Sequence, residues 1–212
     1  MLEETHALSS KIKINAIVEK PENSAYDSAV FYMKYSSFVF KSLKRPSFQK
    51  FLQWMLRREK IEEQMIQAVD VNVFPVRRKN GRGLAGNCDI SQGKIRIYPK
   101  TTTFCKAFKQ KFGKTNLSMY VGSRARAALI HELLHLKYAT DENKVRKLAK
   151  EYFFTFTRNK STNSSQSLTI YTMIFRANPF ETLQVYEKSG QTTEPVKFQK
   201  AIRLSPKSTI FC

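Results

Sequence analysis

The chain has 212 residues, 42% of them hydrophobic and 16 of them Phe, which supplies a real core and excludes a disordered polyelectrolyte. Lys and Arg total 37 against 17 Asp and Glu, a formal net charge of +20, so the surface either attracts nucleic acid, anionic lipid or acidic protein or is simply a solvated basic face. Three cysteines, Cys88, Cys105 and Cys212, are too few and too irregularly spaced for a disulfide framework or a thiolate metal knuckle, and they point to a reducing compartment.

The opening MLEETHALSS is acidic and polar where a secretory signal needs positive charge and an apolar run. Lys34 and the serines break the longest apolar stretch, SAVFYMKYSSFVF, well short of a membrane span. The expectation is therefore an intracellular, cytoplasmic protein with no membrane association.

KIKINAIV (11–18) reads as a short strand. From Ser24 to Lys44 apolar residues recur at helical spacing, and Pro46 stops that helix. Ser47 is the expected N-cap of a second helix running over 47–69, with Phe48, Phe51, Leu52, Met55 and Leu56 as its apolar stripe. The segment 1–68 thus reads as an N-terminal helical hairpin.

The texture then alternates. VDVNVFPVRR (69–78) reads as a strand, KNGRGLAGN (79–87) as a glycine-rich turn, and CDISQGKIRIYP (88–99) as a hairpin turning near Gln92-Gly93. Lys94, Ile95, Arg96, Ile97 and Tyr98 alternate charged and apolar side chains, as an exposed edge strand with one buried face does. A helix over Thr102–Phe112, a loop containing Gly113 and Gly122, and a further helix capped by Ser123 and ending near Tyr138 follow. Asp141 starts another helix after the short turn Ala139-Thr140. RNKSTNSSQS (158–167) is a polar linker, and three strands, LTIYTMIF, TLQVYEK and VKFQKAIRL, are expected in a β-rich extension over 168–212.

Chemistry concentrates in ALIHELLHLKY, which holds two of the chain's three histidines. Four residues apart on a helix, His131 and His135 present their imidazoles on one face, at a separation that suits one tetrahedral zinc. Glu132, one residue round, can reach a metal-bound water without being a ligand, the position of a general base. The helix is apolar nearly all round, and a cation is a strong reason to bury such a group. A third ligand is required, and the helix-turn-helix brings Glu142 back past the first helix; Asp141 and Glu151 are the alternatives. The strand Lys94–Tyr98 is the expected edge to which an extended substrate adds. Tyr98, Tyr120, Tyr138, Arg124 and Arg126 are near enough in sequence to stabilise an oxyanion, and none stands out.

The order strand, loop, IRIYP strand, variable helix, ALIHELLHLKY, short turn, DENKVR and a further helix resembles the small gluzincin metallopeptidases called minigluzincins, over about residues 69–155. The resemblance implies an α+β, zincin-like core over 69–157 with a small, mostly antiparallel sheet. It also implies one zinc ion per chain held by His131, His135 and Glu142, with Glu132 as general base in peptide hydrolysis. SprT and Spartan-like proteases are a more distant likeness that would explain the basic surface, but their downstream histidine ligand has no counterpart after His135. The rival expectation is a nucleic-acid-associated protein in which the zinc site is structural or degenerate, although no zinc finger, RNP-like strand or clear helix-turn-helix is present.

Overall fold

The computed structural model describes residues 12–17, 26–76, 83–158 and 173–174. Among these residues the fold is α+β, with four long helices and one small mixed sheet. The strands are β1 (Ile14–Ile17), β2 (Ala68–Asn72), β3 (Gly86–Asp89) and β4 (Lys94–Ile97), and the helices are α1 (Tyr26–Leu43), α2 (Pro46–Glu59), α3 (Thr102–Tyr138) and α4 (Glu142–Arg158). Sheet order is β1-β2-β4-β3. β1 and β4 both run parallel to β2, and only β3 is antiparallel, so the sheet is not the mostly antiparallel one expected.

Register explains how the sheet meets the helices. One row across it is Ile14, Val69, Ile95 and Cys88, and the next is Ala16, Val71, Ile97 and Gly86. These rows alternate with polar positions, so one face is apolar and packs under the helices. α1 lies against β1 and β2 and α3 against β3 and β4, while α4 packs on both α3 and α2. α1 buries Tyr32, Tyr35, Val39 and Leu43, α2 buries Phe48, Leu52, Met55 and Leu56, and α4 buries Val145, Ala149, Tyr152, Phe153 and Phe156. Each set follows the three- and four-residue spacing of one helix face. At about 1.5–3 kcal/mol for each large side chain removed from water, this layer dominates stability.

The core runs from Ile14 through Phe156 and includes Met173. The first strand and the two N-terminal helices therefore share one core with α3 and α4. Met173 and Ile174 fall in the expected strand LTIYTMIF but are helical, and Met173 packs into the core. The other two expected C-terminal strands and the linker beyond Arg158 lie outside the described residues. Among the described residues, no helix is long and apolar enough to cross a membrane.

Three helix boundaries differ from the sequence expectation. Pro46 takes the first turn of α2 with Arg45 at the N-cap position, so Ser47 lies inside the helix instead of preceding it. α2 ends at Glu59 because Lys60 adopts a left-handed conformation and the Ile61 N–H closes back on the Leu56 carbonyl at 2.9 Å. The expected loop before the histidine helix is instead a kink: Gly113 (φ 82°, ψ 168°) interrupts α3, and Gly122 and Ser123 are buried inside it. A β-carbon at Gly122 would stand 2.9 Å from Ser42 Oγ and 3.4 Å from the Phe38 ring, so glycine there lets α1 cross α3 closely.

Candidate metal centre

The site lies where α3 ends and α4 begins. His131 and His135 stand one turn apart on α3, their ring centroids 4.9 Å apart and their Nε2 atoms 3.2 Å apart. Glu142 opens α4, and its carboxylate faces the two imidazoles with one oxygen each: Oε1 lies 3.6 Å from His131 Nε2 and Oε2 3.4 Å from His135 Nε2. Two nitrogens and a carboxylate converging in this way could hold a metal ion. Asp141 does other work. Its Oδ1 accepts the Lys144 backbone N–H at 3.1 Å and caps α4. Glu151 is exposed on α4 and lies outside the group.

The turn that delivers Glu142 also orients His135. Ala139 ends α3 with φ 46° and ψ −114°, a conformation alanine rarely adopts, and its carbonyl turns back to within 2.5 Å of His135 Nδ1. The carbonyl can only accept, so Nδ1 carries the hydrogen and Nε2 presents its lone pair to Glu142's side of the site. His131 is held neutral by its surroundings. Burial, with the neighbouring His135 and Arg146 acting in the same direction, pushes its pKa down to about 4. Neutral imidazoles are what a metal ion needs.

Glu132 is only 3% exposed and points to the sheet, where its side chain lies over Gly86 of β3. Cys88, two residues along the same face, has its thiol pushed up to about 12 by burial, the Glu132 carboxylate and Asp89, so it stays protonated.

The expected substrate strand is not an edge. β4, which carries Lys94, Ile95, Arg96 and Ile97, is hydrogen-bonded on one side to β2 and on the other to β3. Lys94 is engaged with buried Asp70 at 3.3 Å, Ile95 and Ile97 are in the core, and Tyr98 is buried past the strand end. Among the described residues, the sheet edge beside Glu132 is β3, Gly86–Asp89, which spans the end of the expected glycine-rich turn and the start of the expected hairpin.

The five oxyanion candidates are placed elsewhere. Arg124 is buried and donates to the carbonyls of Tyr98 (2.7 Å) and Leu84 (3.2 Å), Tyr138 donates to Glu59 (2.6 Å), and Tyr120 is buried among Phe104 and Phe108. Arg126 covers the rings of Phe48 and Phe156 at 5.9 and 5.7 Å. Two further residues, Arg146 and Glu59, support the helices of the site. Arg146 donates from Nη2 to Glu142 Oε1 at 3.1 Å, a contact that the four-residue spacing on α4 could have flagged. Glu59, the one acid in the buried stripe of α2, accepts from Lys137 Nζ (3.1 Å), Tyr138 and Tyr152, tying α2 to both helices of the site.

Against known proteins, the chain matches no family model, no curated protein and no solved structure.

Proposed function

We propose that the protein is a zinc metallopeptidase of zincin-like, gluzincin type. The observation that carries this reading is the spacing of the three ligands. Bonds of ~2.0–2.1 Å in a tetrahedron place ligand atoms about 3.3 Å apart; the two imidazole nitrogens are 3.2 Å apart, a Glu142 oxygen lies 3.4 or 3.6 Å from each, and one ligand atom from each of the three residues falls within 4.8 Å of the others. A zinc ion held there supplies Lewis acidity, lowering the pKa of a coordinated water toward ~7 and polarising a substrate carbonyl.

The chain's own residues complete the chemistry. His131, its pKa lowered by burial, offers a neutral nitrogen at pH 7, His135 directs Nε2 to the same point, and Glu142 adds a carboxylate oxygen. Glu132 takes the proton of the attacking water on its carboxylate and delivers it to the leaving amine. Because Glu132 lies against β3, a peptide added to that edge in extended form brings its backbone past both the base and the ligands.

The test is zinc content by elemental analysis, wild type beside His135→Ala, followed by peptide cleavage with Glu132→Gln. The reading predicts about one zinc per chain, lost in His135→Ala, and cleavage abolished in Glu132→Gln with zinc retained. Zinc absent from the wild type after supplementation overturns it.

A second reading gives the metal group a structural role in a nucleic-acid-associated protein. It is favoured by the exposed lysines Lys106, Lys109, Lys111 and Lys114 along an acid-free part of α3. Affinity for nucleic acid that falls steeply with salt and persists in Glu132→Gln, without peptide cleavage by the wild type, would select it.

A further inference from the structure

The carboxylate of Glu142 faces the two imidazoles almost symmetrically, an arrangement in which both oxygens could enter a metal's coordination sphere and raise its coordination number. Arg146 breaks that symmetry. One turn along α4, its Nη2 donates to Oε1 at 3.1 Å, while Oε2 faces His135 at 3.4 Å. A charge-assisted hydrogen bond of this kind engages Oε1 strongly, so that oxygen gives up electron density and freedom to approach a cation.

We propose that Arg146 is a positioning residue that makes Glu142 a one-oxygen ligand through Oε2, keeping the ion four-coordinate with one position open for water or substrate. The inference rests on the metal reading above and concerns how the third ligand binds. Its logic is that an open position is the difference between a catalytic and a closed structural site, and a carboxylate free to bind through both oxygens would fill it. Arg146 acts through Glu142 and has no role in proton transfer. An acidic or neutral side chain at 146 would leave Oε1 available to the ion.

Cobalt(II) reports the difference without any activity assay, because four-coordinate cobalt absorbs visible light much more strongly than five-coordinate cobalt. The experiment adds cobalt to the full chain and to Arg146→Gln, Arg146→Met and Arg146→Lys. With its side chain 38% exposed, Arg146 can be replaced without opening the core. The expected result is an intense visible band in the wild type that weakens about twofold or more in Arg146→Gln and Arg146→Met, as both oxygens engage, and is retained in Arg146→Lys. Bands of equal intensity in the wild type and in Arg146→Gln or Arg146→Met overturn the inference and leave the metal site standing. A wild-type chain that binds no cobalt and no zinc overturns the metal reading and the role of Arg146 with it.

Discussion

Gly86 on β3 and Glu132 on α3 approach so closely that a β-carbon at Gly86 would stand 2.7 Å from both Cγ and Oε1 of the glutamate. No real side-chain carbon tolerates that distance, so Gly86→Ala must displace Glu132 or the edge strand. Under the peptidase reading, a base moved by about 1 Å costs on the order of 10- to 100-fold in kcat. Peptide cleavage should fall by that amount while zinc content, measured in parallel, stays at the wild-type level. Undiminished turnover in the alanine variant would remove Glu132 from the role of base.

Ala139 occupies a conformation suited to glycine, and its carbonyl nonetheless serves His135. Ala139→Gly keeps the carbonyl and removes the clash of the β-carbon. Thermal unfolding should show a gain of about 1 kcal/mol, offset in part by the greater freedom of glycine in the unfolded chain. A loss of stability would mean that the turn is unstrained.

Arg124 joins α3 to both ends of the β3–β4 hairpin through the carbonyls of Leu84 and Tyr98. Arg124→Met removes both donors and leaves the buried oxygens unpaired, a cost of about 2–4 kcal/mol. Hydrogen exchange should quicken in β3 and β4 before it does in α4. Uniform exchange across the chain would show that the arginine supports the whole fold instead of that hairpin.

Glu59 gives the pH dependence a definite sign. Burial works to raise its pKa, but hydrogen bonds from Tyr138, Tyr152 and Lys137 outweigh it and hold the carboxyl below its ordinary range. A depressed carboxylate contributes stability that is present above the unfolded value of about 4.3 and is lost as pH falls through the folded one. Glu59→Gln should destabilise by about 1.5–3 kcal/mol at pH 7, chiefly through the two tyrosines, since Lys137 is 37% exposed and screened. The gap between wild type and variant should close below about pH 4 in thermal melts. A gap independent of pH would mean that Glu59 is not ionised in the folded protein.

The helices were readable because their burial is one-sided. Tyr32, Tyr35, Val39 and Leu43 repeat on α1 at helical spacing, and so do Phe48, Leu52, Met55 and Leu56 on α2. His131, His135 and Glu142 were readable because all three fall within residues 131–142, where helix periodicity and one short turn decide their positions. What escaped the sequence depends on distant partners. Gly122 looks like a loop residue until α1 is laid against it, and Ser123 looks like a cap until Gly113 is seen to take the break. The edge strand was misplaced for the same reason: alternation in Lys94–Ile97 marks one apolar face, but says nothing of whether a neighbour pairs on each side. Glu59 finds its partners 78 to 93 residues away, beyond any local pattern.

The three residues that could hold an ion straddle the Ala139 turn, with His131 and His135 on α3 before it and Glu142 on α4 after it. An ion joining them would therefore act as a clasp across the most strained backbone of the site, and removing it would first loosen that turn. Each tenfold rise in free metal above the dissociation constant would add about 1.4 kcal/mol to folding stability. The melting temperature would become a gauge of metal supply, and chain depleted of metal would open at residues 139–141 to digestion. Scarcity of the ion would then shorten the lifetime of the protein as well as silence it.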